Sequence, residues 1–227
     1  MNKRELAKMI DHTLLGPTAS TEGVRKLCAE AKEYGFASVC VSPCHAALAR
    51  ELLDGSEPKV CVVIGFPHGM STSEVKGYEA EKAIADGADE LDMVINVAAL
   101  KARDYGTVSD NIRAVCVAAE KAPREALVKV ILEVALLNDA EKRAGAILAK
   151  AAGADFVKTS TGFASGGATV EDVSLLREAV GPSMGVKAAG GIHTYEEAVA
   201  MIAAGASRIG ASSSVAIVEG APEWSGN

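Results

Sequence analysis

The sequence predicts an α/β fold, a single-domain (β/α)8 TIM barrel, and three observations carry that expectation. A short phrase recurs as Asp86-Gly87-Ala88-Asp89, Ala152-Gly153-Ala154-Asp155 and Ala204-Gly205-Ala206-Ser207, with Tyr34-Gly35-Phe36-Ala37-Ser38 as a looser relative. Each copy follows an amphipathic stretch and precedes an apolar run, as the glycine after a helix should when the chain turns into a strand. Eight apolar runs alternate with helical patterns. The 227 residues also fit one barrel, with no linker-like segment dividing residues 1–227. A doubly wound open sheet is the alternative, but no GxGxxG follows the first strand.

The elements follow in order. The first strand is expected at 9–13. A helix at 21–34 presents Val24, Leu27, Cys28 and Ala31 at the i, i+3, i+4, i+7 spacing of one buried face. Strands at 36–42 and 59–64 come next, then a helix whose capping pair is Ser71 with Glu74. Strands at 89–95 and 127–133 precede a helix capped by Asn138 with Glu141. Strands at 155–160 and 184–189 lead to a helix over 194–203. That helix carries Thr194 and Glu197 at its start and Tyr195, Ala198, Val199 and Ile202 on its apolar face. The last strand is 207–211.

Composition narrows the function. Apolar residues make up 49% and aromatics only 4%, so the core must be aliphatic and rich in small residues. Lys and Arg number 23 against 30 Asp and Glu, and the net charge of −7 argues against nucleic acid or an anionic membrane as partner. Neither a secretory signal nor a membrane span is visible in the sequence. The cysteines at 28, 40, 44, 61 and 116 lack CxxC spacing, which points to a reducing, cytoplasmic setting. The four histidines are scattered, with no HExxH motif, so metal chemistry has no sequence support.

Strands covered on both faces normally read as continuous aliphatic runs. Four of these do not, and their exceptions keep a phase. Glu90 and Asp92 oppose Leu91, Met93 and Ile95; Lys129 and Glu133 oppose Val128, Val130 and Leu132; Lys158 and Ser160 oppose Val157; Lys187 opposes Val186. Side chains alternate along a strand, so the charged phase is expected inside the barrel. Asp92 and Lys158 are expected in one layer, Lys129 and Lys187 in the next. A structural ion-pair network is one reading of these charges. Against it, two lysines lie near strand C-terminal ends, where barrel enzymes place their chemistry.

A free lysine has a pKa of about 10.4, so roughly one in a few thousand is a neutral amine at pH 7. A neighbouring ammonium and partial desolvation disfavour the charged form. Such an amine attacks a carbonyl to give an iminium, an electron sink for breaking or making a carbon–carbon bond. Gly190-Gly191 and Gly210-Ala211-Ser212-Ser213 follow the last two strands, the usual phosphate position in barrels. Thr161 and Gly162 join the same pocket or form a mobile loop. Asp11 and Thr13 line the site from the first strand or cap a turn. Cys40 reads as core, since no histidine is placed to activate it.

The chain resembles the deoxyribose-phosphate aldolases, a Schiff-base (class I) family of deoxynucleoside breakdown. Matching phrases run nearly end to end, from Ile10-Asp11-His12-Thr13-Leu14-Leu15 through Ile64-Gly65-Phe66-Pro67-His68-Gly69 and Glu90-Leu91-Asp92-Met93-Val94-Ile95-Asn96. The most specific are Asp155-Phe156-Val157-Lys158-Thr159-Ser160-Thr161-Gly162 and Gly185-Val186-Lys187-Ala188-Ala189-Gly190-Gly191. The resemblance implies Lys158 as the Schiff-base lysine, Lys187 as the second lysine that depresses its pKa and relays protons, and Asp92 as the acid/base carboxylate. It implies phosphate binding by Gly190, Gly191, Ser212 and Ser213, and no metal or organic cofactor. The implied reaction is reversible cleavage of 2-deoxy-D-ribose 5-phosphate to glyceraldehyde 3-phosphate and acetaldehyde. Lys129 and Glu133 are expected as a structural pair. Gly16 and Phe163 stand where relatives carry lysines, and the final residues, Glu223 to Asn227, lack the tyrosine some relatives have. Another phosphosugar barrel enzyme working by acid/base chemistry, or a silent phosphosugar-binding protein, are the competing readings. A homo-oligomer, dimer or tetramer, is compatible with the sequence.

Overall fold

Strand follows helix around the chain until the eighth strand meets the first. A computed structural model describes residues 1–123 and 126–222; the tail from Glu223 to Asn227, including the site of the missing tyrosine, lies outside the described residues. The strands are β1 (Ile10–Leu14), β2 (Ser38–Val41), β3 (Lys59–Ile64), β4 (Glu90–Val94), β5 (Leu127–Ile131), β6 (Phe156–Lys158), β7 (Gly185–Ala189) and β8 (Arg208–Ala211). All pair in parallel, in chain order, and β8 closes on β1 through Ile10 beside Ile209. Around them run α1 (Lys3–Ala7), α2 (Thr21–Tyr34), α3 (Ala46–Leu52), α4 (Ser73–Ala85), α5 (Val97–Lys101), α6 (Tyr105–Glu120), α7 (Asp139–Ala151), α8 (Val170–Val180), α9 (Tyr195–Ala203) and α10 (Ser214–Glu219). The predicted barrel is the observed one.

Local chemistry explains the boundaries. On α2 the buried residues are Val24, Leu27, Cys28 and Ala31, the stripe read from the sequence, and Gly35 ends the helix in the left-handed conformation. Asn138 and Thr194 each form full capping boxes with Glu141 and Glu197. The cap of α4 is Thr72 rather than Ser71: its side chain accepts from Val75 N–H, which leaves Glu74 one position early for a box. On α9 the buried side chains are Ala198 and Met201, while Tyr195 and Ile202 are only partly covered. β5 stops at Ile131, short of the predicted 133, because Glu133 turns to φ 58° and the chain enters a short 3-10 turn.

The recurring phrase has a structural purpose. Asp89 accepts the Val60 N–H of β3 at 2.9 Å, Asp155 the Val128 N–H of β5 at 2.8 Å, and Ser207 the Val186 N–H of β7 at 3.3 Å. Each side chain therefore satisfies a backbone donor at the N-terminal end of the preceding strand.

Two interiors result. The main aliphatic core lies between the outer barrel face and the helices, with Leu91, Met93, Val130, Val157, Val186 and Ile209 fully buried. Inside the barrel a small cluster of Cys40, Cys61 and Val63 adjoins a network of buried charges formed by Asp11, Glu90, Asp92, Lys129, Lys158 and Lys187.

Candidate active site

Asp92 is the hub. Its Oδ2 accepts from Lys158 Nζ and from Lys187 Nζ, both at 2.7 Å, and its Oδ1 accepts from Lys129 Nζ at 2.8 Å and the Cys61 thiol at 3.1 Å. Asp11 accepts from Lys187 through one oxygen and from Arg208 at 2.6 Å through the other. Glu90 bridges Lys129 and Arg208. The expected layers hold: the register shifts by one residue per strand around the barrel, which sets Asp92 level with Lys158 and Lys129 level with Lys187, and the long lysine side chains cross between layers so that all three meet one carboxylate. The predicted Lys129–Glu133 pair does not form: Lys129 binds Glu90 and Asp92, while Glu133, past the strand end, accepts from the Thr161 hydroxyl.

Burial would raise both aspartates, but surrounding cations overcome it. Lys129, Lys158 and Lys187 hold Asp92 well below the usual carboxylate range, and Lys187, Lys129 and Arg208 do the same for Asp11. Conversely, burial opposes charge on Lys187 and Lys129, yet the carboxylates raise both above the ordinary lysine value. Three carboxylates (Asp11, Glu90, Asp92) face Lys129, Lys187 and Arg208 as well as Lys158. The cluster is electrically balanced when Lys158 is the neutral amine.

Only Lys158 of this cluster reaches the mouth. It lies at the floor of a cavity of about 420 Å³ at the C-terminal end of the barrel, with Thr13, Ala189 and Gly210 around it. Gly190, Gly191 and Ser212 form one rim, joined by His193; Thr161, Gly162 and Phe163 form the other. Phe163 stands edge-on to Phe66 at 5.3 Å. Gly190 and Gly191 both take positive φ, at 89° and 75°. At Gly210 a Cβ would come within 2.9 Å of Lys187 Cε, so this glycine makes room for the lysine.

Of the residues the sequence singles out, Lys158, Thr13, Thr161, Gly162, Gly190, Gly191 and Ser212 line the cavity. Asp92, Lys187 and Asp11 lie beneath it, fully buried. Ser213 stands just outside, with its Oγ 3.3 Å from His193 Nδ1. Cys40 is buried inside the barrel beside Cys61. At the start of α9, Glu197 accepts the N–H groups of His193 and Thr194 at 2.7 and 3.1 Å. Sequence reasoning missed Arg208, Cys61 and His193. Arg208 carried the same signal as the lysines, a charge in an apolar run; the other two had none.

A closed parallel barrel with a lysine amine at the floor of its C-terminal mouth, set on a carboxylate, defines a barrel enzyme with its reactive groups at the strand ends. Comparison with known proteins makes the class specific. The model of the DeoC/LacD family aldolases matches residues 6–220. A deoxyribose-phosphate aldolase of Clostridium perfringens is 59% identical over 220 residues, covering 97% of each chain. One from Enterococcus faecalis is 59% identical over 217 residues, 96% of this chain and 97% of that one. The tetrameric deoxyribose phosphate aldolase structure from Aeropyrum pernix superposes with a TM-score of 0.88 at 38% identity, covering 96% of this chain and 91% of that one. The chain belongs to the DeoC/LacD family of aldolases.

Proposed function

We propose that the chain catalyses reversible cleavage of 2-deoxy-D-ribose 5-phosphate to D-glyceraldehyde 3-phosphate and acetaldehyde, in deoxyribonucleotide catabolism. The observation that carries this reading is Lys158, the one lysine lining the cavity, held on Asp92 at 2.7 Å. Its neutral amine attacks C1 of the open-chain sugar, and loss of water from the carbinolamine gives an iminium. The C2–C3 bond then breaks as the C3 hydroxyl loses its proton. The bonding pair moves into the enamine on Lys158, and glyceraldehyde 3-phosphate leaves. Protonation at C2 and hydrolysis release acetaldehyde and restore the amine.

Asp92 receives the N–H of the iminium as it receives the amine. Lys187, kept charged between Asp11 and Asp92, supplies a fixed positive field beside the nitrogen and exchanges protons through Asp92. Gly190, Gly191, Ser212 and Ser213 hold the phosphate with backbone N–H and hydroxyl groups. Asp11 anchors Lys187, Thr13, Thr161 and Gly162 shape the mouth, and no step calls on a metal or organic cofactor. The whole chain works as one catalytic barrel domain in the cytoplasm. Among the described residues no helix is long and apolar enough to cross a membrane. Val75 and Tyr78, three apart on α4, and Met70 before them are 53%, 71% and 62% exposed, a face suited to cover in a dimer or tetramer.

Borohydride reduction during turnover is expected to leave an ethyl group on Lys158, mapped by peptide mass. Unmodified Lys158 with intact acetaldehyde release would instead favour an acid/base phosphosugar enzyme. Calorimetric binding of the sugar phosphate without product would indicate a binding protein.

A further inference from the structure

Cys40 and Cys61 are register partners on β2 and β3, and both side chains enter the barrel interior. Both are fully buried, with Val63 beside them and Leu15 and Phe66 packed against them. Their two sulfurs and an Asp92 oxygen all lie within 4.8 Å of one another. Cys61 donates to Asp92 Oδ1 at 3.1 Å and accepts from Lys129 Nζ at 3.3 Å. Neighbouring strands run about 4.8 Å apart, inside the Cα range a disulfide tolerates, and in-register side chains share a face. Leu15 also lines the open cavity, so one side chain touches both the dithiol cluster and the mouth. A thiophilic cation on the same donors would need a free Asp92 oxygen, and three lysines and the Cys61 thiol already hold both.

We propose that Cys40 and Cys61 form an oxidisable dithiol site, closed to a disulfide by hydrogen peroxide, which switches off the cluster built on Asp92. The Cys40 sulfur attacks the peroxide, the O–O bond breaks, and water leaves with formation of a sulfenic acid. The Cys61 sulfur then attacks Cys40 and displaces the sulfenic oxygen as a second water. Two thiols lose two electrons and two protons, and one peroxide becomes two waters. The order of attack follows the surroundings: the neighbouring Cys61 thiol pulls Cys40 below the ordinary thiol value despite burial, and burial pushes Cys61 well above it. Oxidation removes the Cys61 hydrogen that Asp92 Oδ1 accepts and draws the sulfur towards Cys40. The loss of activity rests on the role proposed above for Asp92; the bond itself does not.

The test treats the full-length protein with hydrogen peroxide, then alkylates it under denaturing conditions. Mass analysis is paired with an acetaldehyde-release assay before and after dithiothreitol. Expected are loss of two of the five alkylatable cysteines, a linked Cys40–Cys61 peptide, an at least tenfold fall in activity in the oxidised fraction, and recovery on reduction. Cys61→Ala should form no such link, and peroxide should cause it no reversible loss relative to its own untreated rate. Should that variant not fold, the wild-type peptide map decides alone. Five alkylated thiols after inactivation, a Cys40–Cys44 link, oxygen retained on one cysteine, or a full link with unchanged activity would each overturn the proposal. A protein that never releases acetaldehyde defeats the functional reading instead, and the linked peptide still reports on the dithiol.

Discussion

At the scale of single residues, the site depends on where charge is left over. Lys187 touches no part of the open cavity, yet it donates to both Asp11 and Asp92. Lys187→Met leaves both carboxylates short of a partner in a dry interior. We expect a loss of about 3–5 kcal/mol in urea unfolding and a fall in kcat of about a hundredfold or more, with KM changed far less. A variant of unaltered kcat would leave Lys187 a purely structural ion. Much of this was legible: a charge in an apolar strand betrays itself because burial requires a partner, and parity along the strand assigns its face. Of the partners, only Lys158 for Asp92 was readable, from their shared layer. Asp92 meets Lys129, Lys158 and Lys187 together only because the barrel's stagger and the reach of each lysine combine, and neither quantity is written in local sequence. Cys61 gave no signal, since a cysteine is as much at home in an aliphatic core as in an ionic one.

At the scale of elements, the two ends of the barrel are held differently. The C-terminal mouth is closed by glycine turns and loop packing, such as Ala168 N–H on the Gly190 carbonyl at 2.9 Å. The N-terminal end is clasped by the Asp and Ser of the repeated phrase. Asp155→Ala should therefore lower stability by about 1 kcal/mol through the lost Val128 bond, and Asn138→Ala by a similar amount through the lost cap of α7. Neither residue touches the cavity, so both variants should keep wild-type kcat and KM in the acetaldehyde assay; a changed KM would mean that the two ends are coupled. Helix faces and capping pairs were readable because they depend on neighbours three or four apart. The misplacements were Thr72 for Ser71 at α4, two adjacent hydroxyl residues equally suited to cap, and the early end of β5, where a tertiary contact decided. Glu133 leaves the strand to meet Thr161, a residue on the next strand's loop.

For the whole molecule, stability should have two separate pH dependences. Asp11 and Asp92 titrate below the ordinary carboxylate value in the fold, so their contribution is complete above about pH 4 and lost as pH falls further. Lys76 acts in a separate, alkaline window. Fully buried between α4 and α6, it donates to the Val94 carbonyl at 2.8 Å and Asn111 at 2.7 Å, and burial pushes it down to about 8. The unfolded chain binds that proton more tightly, so between about pH 8 and 10.5 stability should climb relative to a Lys76→Met variant; parallel thermal-melting curves for the two proteins across that window would refute it. The overall charge of −7 describes the outer surface and says nothing of the balanced cluster within. The clasps carry one more implication. The repeated phrase stands before β2, β4, β6 and β8, and the Asp89, Asp155 and Ser207 clasps each reach back one strand, tying β3 to β4, β5 to β6 and β7 to β8. Ser38, in the looser copy before β2, leaves its hydroxyl without a partner. The barrel is thus put together from two-strand modules, three of them stitched, and a chain cut between modules would keep every stitch whereas a cut within one would sever it.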